Sequence, residues 1–194
     1  MPQTATKIQT GVELKTDHRG KKAALVIAFE DFRDQEYFVP REVLEKAGLE
    51  VVTVSTSQGT ARGADGGEVE VDLTLSELKV KDYEVVAFVG GPGTLDYLDN
   101  ERSYEIVREV LSEGKLLGAI CIAPVILAKA GVLKGKEVTV WSSSMNKDPI
   151  ETVEQQGANY HDRSVVIDGN LVTADGPESA RKFGRAILHA LTNL

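Results

Sequence analysis

The sequence predicts an α/β fold: a mainly parallel β-sheet with helices on both faces. Three observations point to it. The runs AALVIAF (23–29) and YEVVAFV (83–89) are short and almost wholly apolar, as expected of strands covered on both sides. Between such runs lie longer segments whose apolar residues recur at helical spacing. The two kinds of segment alternate from residue 23 to the end, which is the pattern of repeated strand–helix–strand units.

The elements follow in order. After the first strand, EYFVPREVLEKAG (36–48) places Val39, Val43, Leu44 and Ala47 at helical spacing, and Gly48 is a stop signal. LEVVTVS (49–55) is a β-branched strand. SQGTARGADGG (57–67) is rich in glycine and is expected to be a loop. EVEVDLTL (68–75) alternates polar and apolar residues, as an edge strand with one wet face would. The strand at 83–89 runs into GGPGT. ERSYEIVREVLSEG (101–114) is an amphipathic helix with Ile106, Val107, Val110 and Leu111 on one side. KLLGAI (115–120) is a strand ending at Cys121, and APVILAKAG (123–131) is a helix with Pro124 in its first turn. KEVTVW (136–141) reads as a strand. SVVIDGNLVTA (164–174) reads as a hairpin around Asp168-Gly169, and PESARKFGRAILHALTN (177–193) as the last helix.

Residues 1–22 form a polar arm, and 23–194 a single domain with no linker or internal repeat. Twenty-two Lys and Arg stand against 30 Asp and Glu, a net charge of −8, which disfavours a nucleic-acid partner. The arm has no apolar signal core, and no apolar run approaches the roughly 20 residues that span a bilayer. One cysteine excludes an internal disulfide and fits a reducing compartment, so a cytoplasmic location is expected. Abundant Glu and Lys would also suit a thermophile. No group of His, Cys and Asp has metal-ligand spacing, so neither a metal nor another cofactor is expected.

In open parallel sheets, sites lie at the carboxyl ends of strands. Cys121 falls there, between a buried strand and a helix, on a turn that projects its side chain above the sheet. The partial positive charge of the helix start favours thiolate, the reactive form. Amides near Cys121 and Ile122 are placed to hold a developing oxyanion. A free cysteine also packs well as a small hydrophobe, so position alone leaves both readings open. Glu30 ends the first strand in an acidic stretch with Asp31, Asp34 and Glu36, and is either a pocket carboxyl or a solvated one. Gly90, Gly91 and Pro92 begin a tight turn that lets backbone approach a ligand, but no P-loop or dinucleotide fingerprint is present. Trp141 and Ser142 end another strand and are candidates to line the same pocket. His18, His161 and His189 are all distant from Cys121 in sequence.

The segments FEDFRDQEYFVPREVLEKAG, VGGPG, GAICIAPVILAKAGVLKGKEVT and VVIDGNLVTADGPESARKFG, in this order, resemble the ThiJ/PfpI family over about residues 23–192. This family includes intracellular protease-like, parkinsonism-associated deglycase-type and heat-shock glyoxalase proteins. The resemblance implies a flavodoxin-like three-layer sandwich with a reactive cysteine on a nucleophile elbow, and a homo-oligomer. It implies that Cys121 is that cysteine, that Glu30 hydrogen-bonds it, and that Gly91 and Ile122 supply the oxyanion pocket. The chain departs from the protease-like branch in carrying Ile122 where that branch has histidine, and WSSSMNKD (141–148) lacks the histidine of the deglycase-like branch. An amide leaving group needs a proton, so a protease is disfavoured. Three functions stay open: cysteine-dependent chemistry on small dicarbonyls of the glyoxalase or deglycase kind, redox sensing through oxidation of Cys121, and a member of weak or lost activity. An acidic residue such as Asp96, or a residue of a neighbouring subunit, is a candidate to replace the missing histidine.

Overall fold

The computed structural model describes residues 18–194. Most of the expected arm, residues 1–17, lies outside them. The first half contains β1 (Lys22–Val26), β2 (Glu30–Phe32), α1 (Asp34–Lys46), β3 (Glu50–Ser55), β4 (Gly59–Gly63), β5 (Glu68–Val71), β6 (Leu73–Thr74), β7 (Val85–Phe88), α2 (Thr94–Leu98) and α3 (Glu101–Ser112). The second half contains β8 (Leu116–Ile120), α4 (Pro124–Lys129), β9 (Glu137–Val138), α5 (Asp148–Gln155), β10 (Asn159–Tyr160), β11 (Val165–Asp168), β12 (Leu171–Ala174) and α6 (Ala180–Thr192).

A central sheet of seven strands runs in the order β11-β12-β8-β7-β1-β3-β6. Every pairing in it is parallel except the terminal hairpin of β11 with β12. From β1 the chain goes to β3 on one side and later to β7 on the other. The strand order therefore reverses at β1, which opens a crevice at the carboxyl ends of β1 and β7.

The alternation of side chains sorts the two cores. Ala24 and Val26 face a layer with Ile106, Val110, Ile126 and Val153, contributed by α3, α4 and α5. Ala23 and Leu25 face Tyr37, Leu44, Phe183 and Ile187, contributed by α1 and α6. Such strands have no wet face, which is why their sequence is continuously apolar. Gly118 of β8 makes room for this second layer, since a Cβ there would stand 2.9 Å from the Ala87 Cβ and 3.0 Å from the Phe183 ring. The flavodoxin-like sandwich is thus the observed architecture.

Three local expectations are corrected. Residues 57–67 are not a plain loop, because β4 pairs with β2 and β5 in a separate three-stranded sheet. Two of the glycines that suggested a loop serve close approach. A Cβ at Gly63 or Gly67 would come within 2.2 Å of the Asp34 carboxylate, which accepts the Asp65 N–H at 2.8 Å and the Gly67 N–H at 2.5 Å. The strand expected over 68–75 divides at Asp72 into β5 and β6, in different sheets, with the Asp72 carboxylate accepting the Thr53 N–H at 2.7 Å. The strand expected over 136–141 shrinks to β9, and Trp141 N–H instead donates to the Cys121 carbonyl at 2.9 Å.

Candidate active site

Cys121 follows β8 directly. Its backbone takes φ 62°, the left-handed region that a side chain normally avoids, and its own N–H donates to the Ala174 carbonyl at 2.9 Å. That bond and the one from Trp141 hold the residue from both sides, and non-glycine strain of this kind persists only where the surroundings over-determine it. The chain then enters α4, with Pro124 in the first turn. The elbow read from the sequence is therefore a physical feature of the fold. One detail changes. The Cys121 amide is already bonded, so it is not free to bind an oxyanion, whereas the Ile122 amide faces the thiol.

The carboxyl beside Cys121 is Glu36, not Glu30. Glu30 lies on β2, where it pairs with Arg62 of β4. Asp31 then adopts φ 59°, and α1 begins at Asp34, so that its first turn returns Glu36 to the sheet edge. Glu36 is fully buried. Neither of its oxygens has an aligned hydrogen bond to nitrogen or oxygen, and the groups acting on it are the Cys121 thiol, the Arg33 guanidinium and the Gly90 amide. The sequence does carry a signal for this. The buried positions of α1 include Glu36, Pro40 and Leu44, so Glu36 stands on the apolar stripe at a spacing of four residues. The expected stripe of Val39, Val43, Leu44 and Ala47 is displaced from it, and of these four only Leu44 is fully buried.

Burial pushes the Glu36 carboxyl up to about 7, with Cys121 and Arg33 opposing the rise. Burial also raises the Cys121 thiol, and the neighbouring Glu36 charge raises it further, while the Ile122 amide and Arg33 pull it down. Two anions in one buried site repel, so the pair keeps one proton between them above neutral pH. A protonated Glu36 removes its own repulsion and offers an O–H to a thiolate.

A cavity of about 320 Å³ opens over this pair, lined by Arg33, Glu36, Gly91, Pro92, Leu95, Cys121, Ile122, Trp141 and Pro177. Of the sequence candidates, Cys121, Gly91, Ile122, Pro92 and Trp141 meet here. Gly90 does not line the cavity. It packs behind the pair, where its Cβ would stand 2.5 Å from both the Cys121 Cβ and Glu36 Oε2. Gly91, at φ 134°, lies against the start of α1, and a Cβ there would be 2.4 Å from the Arg33 nitrogen. Ser142 lies outside the lining, with Lys147 Nζ donating to its hydroxyl at 3.4 Å. Asp96 is exposed on α2 and is also outside it. Arg33, Leu95 and Pro177 are additions that no motif marked.

No histidine lines this cavity. His161 pairs with Glu137, and His18 and His189 border a separate cavity of about 260 Å³ with Arg185. Among the described residues no group of three or more His, Cys, Asp and Glu is arranged to hold a metal ion.

Residues 21–190 match the DJ-1/PfpI family. The chain belongs to the DJ-1/PfpI family. It is similar to an uncharacterized protein of Methanocaldococcus jannaschii, 41% identical over 180 residues, covering 92% of this chain and 86% of that one. It is also similar to the deglycase PfpI of Pyrococcus furiosus, 35% identical over 153 residues, covering 79% and 89%. Among solved structures, the ThiJ/PfpI domain protein of Brachyspira murdochii superposes with a TM-score of 0.84 at 33% identity, covering 90% of this chain and 99% of that one.

Proposed function

We propose that this member of the DJ-1/PfpI family is a cysteine-dependent enzyme that converts small dicarbonyls, of the 2-oxoaldehyde type, to 2-hydroxy acids. The observation that carries the proposal is the meeting of the Cys121 thiol with a buried carboxyl that titrates near neutral pH, at the floor of a small cavity. The similarity to chains named deglycases supports the same class of carbonyl chemistry.

The residues suffice for a balanced sequence. Cys121 Sγ adds to the aldehyde carbon, and the carbonyl oxygen takes the proton, giving a hemithioacetal. Glu36 removes the hydrogen on that carbon as a proton and returns it to the adjacent, formerly ketonic carbon, while the hydroxyl proton of the hemithioacetal passes to the former ketone oxygen as the thioester carbonyl forms. The result is a thioester of a 2-hydroxy acid. Water hydrolyses it, releasing the acid and restoring the thiol. The net change is dicarbonyl plus water to hydroxy acid, with no external oxidant. A group poised at about 7 is suited both to take and to give the proton at neutral pH. The Ile122 amide, beside the sulfur, is the backbone donor assigned to the developing oxyanion, with Gly91 as its neighbour in the cavity wall.

Peptide hydrolysis is not favoured, because Ile122 occupies the cavity where the protease-like branch would present a histidine, and no other histidine reaches it. A homo-oligomer in the cytoplasm belongs to the same proposal. No helix among the described residues is long and apolar enough to cross a membrane.

The deciding experiment is production of lactate from methylglyoxal by the purified protein, by Cys121→Ser and by Glu36→Gln. Turnover by the wild type and its loss in both variants is the expected result. Absence of turnover by the wild type overturns the proposal. A second reading rests on the same carboxyl, which could hold an oxidised sulfur: Cys121 would act as a redox sensor. Mass spectrometry after mild peroxide checks it, since two oxygens should then appear on Cys121 before the exposed Met145 is oxidised.

A further inference from the structure

Arg33 is the cation of the catalytic cavity, and the reaction above gives it nothing to do. It lies in the wall with Glu36 and Cys121 and acts electrostatically on both. Its backbone is held by a bond from its N–H to the Gly90 carbonyl at 2.9 Å. Its side chain is held from outside the cavity. Nη1 donates to Asp65 Oδ1 at 3.0 Å and to Oδ2 at 3.2 Å. Asp65 is itself fixed, because its N–H donates to the Asp34 carboxylate in the first turn of α1. The guanidinium is therefore steered by the small three-stranded sheet rather than left to wander in solvent.

Only one edge of the fork is used. Nε and Nη2 have no hydrogen-bond partner among the described residues, although both are donors. The other lining residues besides Arg33, Glu36 and Cys121 are Gly91, Pro92, Leu95, Ile122, Trp141 and Pro177, none of which carries charge. Glu36 is the sole carboxyl of the wall, and it shares its proton with Cys121.

We infer that Arg33 is an anion subsite within this cavity, and that the preferred substrates are 2-oxoaldehydes bearing a carboxylate or phosphate on their tail. The inference rests on the proposed carbonyl chemistry and adds its substrate class. The aldehyde meets Cys121, and the anionic tail takes the free donors of Arg33. A guanidinium presents parallel N–H groups to either kind of oxyanion. A cavity of about 320 Å³ suits a tail of a few atoms and not a macromolecule. The chemistry is balanced for both tails. 4,5-Dioxovalerate plus water gives 2-hydroxyglutarate, and phosphohydroxypyruvaldehyde plus water gives phosphoglycerate.

The test compares kcat/KM for methylglyoxal, 4,5-dioxovalerate and phosphohydroxypyruvaldehyde, in the wild type, Arg33→Gln and Arg33→Lys. Charge-assisted hydrogen bonds of this kind are worth about ten- to hundredfold, so the wild type should prefer at least one anionic substrate by that factor. Arg33→Gln should bring the ratio of anionic to neutral substrate near unity, and Arg33→Lys should restore part of it. The ratio is the readout, because any general damage from losing Arg33 affects all three substrates alike. The arm that gains most says whether carboxylate or phosphate is the ligand. A wild-type ratio near unity, or one unchanged in Arg33→Gln, overturns the inference while leaving the carbonyl chemistry standing.

A second readout needs no turnover. The chain has one cysteine, so alkylation reports on Cys121 alone. Iodoacetate, an anion, should gain on iodoacetamide in the wild type, and Arg33→Gln should abolish that gain. If alkylation shows the preference but methylglyoxal is not converted, the subsite stands and the carbonyl reaction falls. If no gain is seen with iodoacetate, the subsite falls.

Discussion

Glu36 and Cys121 meet against Gly90: a Cβ built on that glycine would stand 2.5 Å from the Cys121 Cβ and 2.5 Å from Glu36 Oε2. The carboxyl comes from the first turn of a helix and the thiol from a strand-to-helix elbow, 85 positions later in the chain. The bare glycine behind them is what leaves room for that contact.

Gly90→Ala should therefore damage both the fold and the site. Its added methyl also meets the Ile120 carbonyl at 2.8 Å, and backbone cannot step aside as a long side chain can. Overpacking of this kind costs about 1–3 kcal/mol. Urea denaturation should show the loss, and methylglyoxal turnover should fall with it. A variant of wild-type stability would mean that the two side chains are farther apart than described.

Glu36→Gln should stabilise the protein at alkaline pH. The sign follows from the raised carboxyl, which in the folded state holds its proton up to about 7, whereas the unfolded chain releases it near 4.5. Between these values the folded state binds more protons, so stability falls as pH rises through the window. A shift of this size corresponds to about 3 kcal/mol. Denaturation at pH 5 and pH 8 should show the variant gaining at the higher pH and losing the slope between the two. Equal slopes in both proteins would contradict a buried, neutral-titrating Glu36.

Alkylation of Cys121 should follow two steps of pH in the wild type. The first, near 7, is loss of one of the two protons the pair holds, which leaves a single proton between Cys121 and Glu36, and the second lies well into the alkaline range, where that last proton leaves and both groups are ionised. In Glu36→Gln the profile should collapse to a single step. A wild-type profile with one step at the ordinary cysteine value would show that the groups do not interact.

Asp34→Ala should act at a distance from the thiol. The carboxylate holds the N–H groups of Asp65 and Gly67, and Asp65 in turn holds Arg33. Loss of these bonds should cost about 1–3 kcal/mol. The preference for anionic over neutral substrates should drop as well, because Arg33 loses its outer anchor. Unaltered stability and preference together would show that the small sheet does not position Arg33.

The elbow was legible because its logic is local. A wholly apolar strand must end at the sheet's carboxyl edge, and a residue between it and a proline-started helix has little choice of position. Cys121, Ile122 and the glycine turn were found in this way, and so were both helical layers. Glu36 was missed because a carboxyl at the end of a strand, Glu30, satisfies the same local rule. The deciding event is the short β2 with its left-handed Asp31, which diverts Glu30 into a second sheet and returns the chain one helical turn later. Pairing of β2 with β4 spans about thirty residues and leaves no periodic trace in either segment.

By itself, then, the sequence determined the parallel sheet, the layers that cover it and the thiol at its edge, since burial on two faces dictates residue type position by position. Only the tertiary structure decided which carboxyl is paired with that thiol and which cation lines the same cavity. Both come from segments far from Cys121 in the chain, and their chemistry depends on desolvation and proximity, which exist only once the chain has packed.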